Sequence, residues 1–97
     1  MSAHEALLTE GERRDFLSSH PGWSLEGEAI TRSFSFGDFG EAMGFVTRVG
    51  LAAQAADHHP DIDIRWNRVT LRLSTHTAGG LTGLDRDLAA EIDGFAG

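Results

Sequence analysis

The sequence contains no cysteine, no lysine and no tyrosine, and only two prolines in 97 residues. Without cysteine, a disulfide scaffold, a zinc finger and a thiol nucleophile are excluded. Without lysine, Schiff-base chemistry and the lysine contact of a P-loop are excluded. All eight cations are arginine, against 15 acidic residues, for a net charge of −7. A net anion repels phosphate backbones, so nucleic-acid binding by bulk electrostatics is not expected. No window approaches the roughly 18 uncharged apolar residues of a transmembrane helix, so no membrane partner is expected. The opening Met1-Ser2-Ala3-His4-Glu5 has neither the basic start nor the apolar stretch of a secretory signal, and a cytoplasmic location is the expectation.

What is present fits a soluble domain. Hydrophobic residues make up 40% and charged residues 24%. A chain of 10.5 kDa folds to roughly 5,400 Å² of surface from roughly 15,000 Å² unfolded, which supports one small core. A single domain over residues 1–97 follows.

Local patterns give the elements. Thr9-Glu10-Gly11-Glu12 reads as a capping box that opens a short helix to about Leu17. Pro21-Gly22 is a turn. Trp23-Ser24-Leu25 and residues 29–36 read as two strands around Glu26-Gly27-Glu28. In the second, Ile30, Phe34 and Phe36 share a face that Arg32 interrupts. Asp38 and Glu41 form a second capping box. From Phe39 to about Ala56, Phe39, Ala42, Met43, Val46, Val49 and Ala53 recur at steps of three and four, with Phe45 and Ala52 widening the stripe. His58-His59-Pro60 stops this helix. Residues 61–66 alternate, Asn67 turns, and residues 68–75 alternate again with Val69, Leu71 and Leu73 inward, which makes a β-hairpin. Thr82-Gly83-Leu84-Asp85 opens a last helix with Leu84, Leu88, Ile92 and Phe95 on one side, and Gly94 and Gly97 suit its end. The order α-β-β-α-β-β-α predicts an α+β fold, a four-stranded antiparallel sheet with helices packed on one face. The uncovered face and two edges predict self-association.

Reactive side chains gather at element ends: His58, His59, His76 and Asp85. Each has a structural alternative. The paired histidines could cap helix carbonyls, or serve as proton donors and acceptors near neutrality. By strand parity His76 lies off the core, as a surface residue or a functional one before the flexible Thr77-Ala78-Gly79-Gly80 loop. Asp85 stands where an acid satisfies a helix start, which is compatible with orienting an imidazole. Trp66, like Trp23, either packs in the core or stacks on a planar ligand. Adjacent histidines point different ways in a regular element, so the set is a poor metal chelate, and no metal is expected.

The blocks Phe45-Val46-Thr47-Arg48-Val49, Ala56-Asp57-His58-His59-Pro60, Trp66-Asn67-Arg68-Val69, Leu73-Ser74-Thr75-His76 and Gly80-Leu81-Thr82, with Asp85, Leu88 and Ala89, together resemble the pterin-4a-carbinolamine dehydratases. The resemblance spans about Thr9 to Phe95. It implies dehydration of 4a-hydroxytetrahydropterin to quinonoid dihydropterin, which recycles the cofactor of aromatic amino acid hydroxylases. It implies a catalytic set of His58, His59, His76 and Asp85 with no cofactor, while the short chain and its open sheet make a homodimer or homotetramer the expected assembly. It also implies pterin contacts from Asp57, His58, His59, Ser74, Thr75, His76 and Thr77, to which the stacking reading adds Trp66. Some relatives act without catalysis, as dimerisation cofactors of a transcription factor or as assembly factors. One departure is Gln54, where the family usually carries an ionisable residue. One helical turn before His58, it is expected on the same face and brings no charge to it.

Overall fold

The computed structural model describes residues 6–96. The N-terminal pentapeptide read above for a secretory signal, and Gly97 as a helix end, lie outside the described residues. The elements run α1 (Glu10–Ser19), β1 (Ser24–Glu26), β2 (Ala29–Ser35), α2 (Phe39–Ala56), β3 (Asp61–Arg65), β4 (Arg68–Leu73) and α3 (Gly83–Ala96), with a short 3₁₀ turn at His76–Ala78 before α3. The strands form one antiparallel sheet in the order β1-β2-β4-β3. Every expected element forms, in the expected order.

The helix starts follow from local chemistry. Thr9 accepts from the Glu12 backbone N–H at 3.1 Å, and Glu12 accepts from the Thr9 N–H at 2.9 Å, which completes the first capping box. The second is half-formed. Asp38 accepts from the Glu41 N–H at 2.8 Å, but the Glu41 carboxylate accepts from Gly37 rather than from Asp38.

The core lies between the helices and the inward side of β2 and β4, where Ile30, Phe34, Val69, Leu71 and Leu73 meet Phe16, Phe45, Val49, Leu88 and Ile92. Register sets this face, since Phe34 pairs with Val69 and Ile30 with Leu73. Arg32 does not break it. Its guanidinium spans the Phe34 ring at 4.5 Å and reaches Asp93 of α3 at 2.6 Å, where the Trp23 indole N–H also donates at 2.9 Å. Trp23 is therefore a core residue with a satisfied polar end.

Three expectations are corrected. The buried face of α2 is Ala42, Phe45, Val49, Ala52 and Ala53, while Phe39 and Met43 are 50% and 37% exposed. The buried stripe is thus rotated toward Phe45, and the α2 edge carrying Phe39 and Met43 is left uncovered. Trp66 is not core. The β3–β4 connection is the two-residue loop Trp66-Asn67, so alternation ends at Arg65, and Trp66 sits at the tip with φ +51° and 67% exposure. The Asn67 amide, by contrast, donates to Phe36 O at 2.7 Å and ties the tip to the end of β2. Gly94 lies inside α3 rather than past its end.

Candidate active site

The site forms where α2 ends, β4 ends and α3 begins. Asp57 takes the left-handed conformation (φ 51°, ψ 42°) directly after α2. Its N–H donates to Gln54 O at 3.2 Å, and the His58 N–H donates to Ala53 O at 3.1 Å. This paired closure is a Schellman motif, with aspartate where glycine is usual. It turns the chain back on itself and sends the His58 side chain inward. The helix end is thus capped by backbone groups, and among the described residues neither imidazole caps a carbonyl.

His58 is buried at 9% exposure, and its Nε2 lies 2.6 Å from Asp85 Oδ1. Asp85 itself has 0% exposure. Its other oxygen, Oδ2, accepts from the Thr75 hydroxyl at 2.7 Å and from the Thr82 N–H at 2.9 Å. The helix-start role expected of Asp85 and its orientation of an imidazole therefore coexist on the two oxygens of one carboxylate. A buried carboxylate needs such partners, because an unpaired one would cost several kcal/mol. With Nε2–H facing the carboxylate, the neutral ring presents Nδ1 as an acceptor. Among the described residues the buried side-chain polar atom that lacks a partner is His20 Nδ1. Among the described residues His58 Nδ1 has no partner either, and since it is not one of the enclosed atoms it keeps an opening to the outside.

The other predicted residues divide by position. His59 is exposed and faces Gln54, Nε2 to Oε1 at 3.4 Å. This corrects the expected Gln54–His58 pairing: the left-handed turn at Asp57 moves His58 off the helix face and leaves its neighbour there. His76 is exposed and opens the 3₁₀ turn, as strand parity required. That turn is fixed to Thr75, whose O accepts from the Ala78 and Gly79 N–H groups and whose N–H donates to Gly80 O. Since Thr75 also holds Asp85, the segment bearing His76 is tied to the carboxylate that holds His58. Ser74 donates to Glu28 O at 2.8 Å, and Asp57 and Thr77 are exposed. Trp66 is not brought to this place. β4 leads from the Trp66 turn toward Thr75, and seven steps of about 3.3 Å put Thr75 roughly 23 Å from Arg68 at the foot of that turn.

Sequence reasoning missed what Thr75 and Thr82 do. Thr75 continues the inward parity of Val69, Leu71 and Leu73, and a buried hydroxyl at the end of that row needed a partner. That signal was available.

The fold and this constellation define a small α+β protein whose sheet end carries a carboxylate-held imidazole with other histidines on adjoining segments. The sequence profile described as Pterin 4 alpha carbinolamine dehydratase matches residues 6–95. The chain belongs to that family. It is 53% identical over 88 residues to a protein of Roseiflexus castenholzii named provisionally as a pterin-4-alpha-carbinolamine dehydratase, covering 91% of this chain and 95% of the other. A crystal structure described as a transcriptional coactivator/pterin dehydratase from Brucella melitensis superposes with a TM-score of 0.88 at 43% identity, covering 94% and 99% of the two chains. A pterin dehydratase-like protein described as a RuBisCO assembly factor in the alpha-carboxysome shares the fold, with a TM-score of 0.63 at 22% identity and 77% and 87% coverage.

Proposed function

We propose that this chain dehydrates 4a-hydroxytetrahydropterin to quinonoid dihydropterin by histidine acid–base catalysis, and so recycles the pterin used by aromatic amino acid hydroxylases. The observation that carries this reading is the buried His58–Asp85 pair, with Nδ1 left open. In the reaction the C4a–O bond breaks and the hydroxyl leaves as water with a proton from an acid. The N5–H bond gives its electron pair to a new C4a=N5 bond, and its proton passes to a base. Both events are proton transfers, each worth about 10²–10⁴-fold from a positioned side chain. His58 suits the base, since Asp85 fixes its tautomer and orientation. His76, on its exposed turn, delivers the proton to the departing oxygen. His59 binds and polarises the pterin, with Asp57, Ser74 and Thr77 lining the approach. The working unit is a homodimer or homotetramer in the cytoplasm.

A second reading is supported by the α2 surface, where Phe39, Met43 and Leu51 are exposed. On this reading the chain is a non-catalytic dimerisation or assembly cofactor. Stopped-flow mixing with chemically generated 4a-hydroxytetrahydropterin separates the two. Acceleration proportional to chain concentration supports the dehydratase. A rate equal to the uncatalysed one rejects it in favour of the interaction module.

A further inference from the structure

The hydrogen-bond directions behind Asp85 can be deduced. Asp85 Oδ2 accepts from the Thr75 hydroxyl, which uses the only proton Thr75 has. At the 2.9 Å contact between Thr75 and Thr82 the donor is therefore the Thr82 hydroxyl. The Thr82 oxygen in turn accepts from the Leu84 N–H at 3.2 Å. A one-way chain results, from the first turn of α3 through Thr82 and Thr75 to the carboxylate, and each bond polarises the next. Thr82 is at 0% exposure and Thr75 at 4%.

A helix start alone does not explain this arrangement. Thr82 and Asp85 could satisfy the first turn between them, as Thr9 and Glu12 do for α1 on the exposed surface. Thr75 adds a hydroxyl from another element and carries the turn that bears His76. It also occupies Oδ2, so that Oδ1 alone remains for His58.

We propose that Thr75 and Thr82 are positioning residues for the acid–base site. Their two hydroxyls lock the Asp85 carboxylate so that it holds His58 in the Nε2–H tautomer, and Thr75 sets the placement of His76 relative to His58. Thr75 thereby acts through Asp85 rather than by a side-chain contact to the substrate. This inference rests on the dehydratase reading for its kinetic consequence, but not for its structural one.

The test measures the ¹⁵N signals of the His58 ring at a pH where the imidazole is neutral, beside dehydration kinetics, in Thr75→Val, Thr82→Val and the matching serine variants. The wild-type ring is expected to show one protonated and one bare nitrogen. In the valine variants the two signals should move toward each other as tautomers mix. There kcat should fall about tenfold or more, out of the 10²–10⁴ that a positioned proton-transfer group supplies, with KM within about twofold. Serine should restore both readouts. Thr75→Ala, which removes the hydroxyl without placing a methyl against the carboxylate, gives the same reading if the valine proteins do not fold. Unchanged ring signals and kcat in a folded variant that lacks either hydroxyl overturn the proposal. Ring signals that respond in a chain with no dehydratase activity uphold the positioning chain and reject the function. An active enzyme with unresponsive ring signals does the reverse.

Discussion

His58 and Asp85 lie 27 residues apart in the chain and meet at 2.6 Å, with the carboxylate wholly enclosed. Asp85→Ala would leave three donors facing an empty site: His58 Nε2–H, the Thr75 hydroxyl and the Thr82 N–H. Each orphaned buried donor costs about 1–3 kcal/mol, and the losses overlap. The expected loss of folding stability is about 3–5 kcal/mol by denaturant titration. A loss below about 1 kcal/mol would mean that the network contributes little to the fold.

Acid should loosen the start of α1. The Thr9 N–H, and then the Thr9 hydroxyl, hold the Glu12 carboxyl below its usual value of 4.5, with a smaller contribution from Arg86. A carboxylate depressed in the folded state adds stability above its unfolded value, and that stability is lost as pH falls through the folded value. NMR titration should show the Glu12 carboxyl protonating below pH 4.5, with the Thr9 amide signal moving in step. A Glu12 midpoint at or above that value contradicts the capping account.

Asp57 should separate stability from activity. At φ 51° it holds a conformation that costs an L-residue about 1–2 kcal/mol and glycine almost nothing. Glycine also frees the unfolded chain by about 0.4–1 kcal/mol, so Asp57→Gly should gain about 0.5 kcal/mol net. If Asp57 contacts the pterin, KM should rise while the thermal midpoint holds or climbs. A fall in both stability and activity would place its role in the fold instead.

Gly22 guards the Arg32–Asp93 pair. A Cβ at Gly22 would lie 2.6 Å from the Arg32 guanidinium carbon. That guanidinium lies between Asp93 and the Phe34 ring, so the shift that makes room for a methyl weakens the contact to Asp93. Gly22→Ala should cost about 1.5 kcal/mol, the low end for a hydrogen bond to a charged group. Asp93→Asn should remove most of that difference, and additive effects in the double variant would contradict the coupling.

Some of this was legible in the residues and some was not. The elements were, because capping signals, alternation and the Pro60 stop are local. The rotation of α2 was not. Phe39 and Met43 match the helical period as well as Phe45 does, and only the position of the sheet decides which face is covered. Trp66 misled for a related reason: its apolar ring fits the β3 alternation, but the two-residue loop takes it out of the strand. The histidines were visible as residues at element ends. The partner of His58 was not visible as such, because the left-handed turn at Asp57 exchanges the directions of His58 and His59 relative to Gln54. The role of Thr75 depends on a contact to a side chain ten residues on, which no periodicity encodes.

The central claim is that His58, held by Asp85, moves a proton in the dehydration. Stopped-flow turnover of 4a-hydroxytetrahydropterin by His58→Ala, compared with the wild-type chain at equal concentration, tests it most directly. The expected result is a fall of at least about tenfold, with the variant still folded by circular dichroism. A folded variant that turns over at the wild-type rate would contradict the claim.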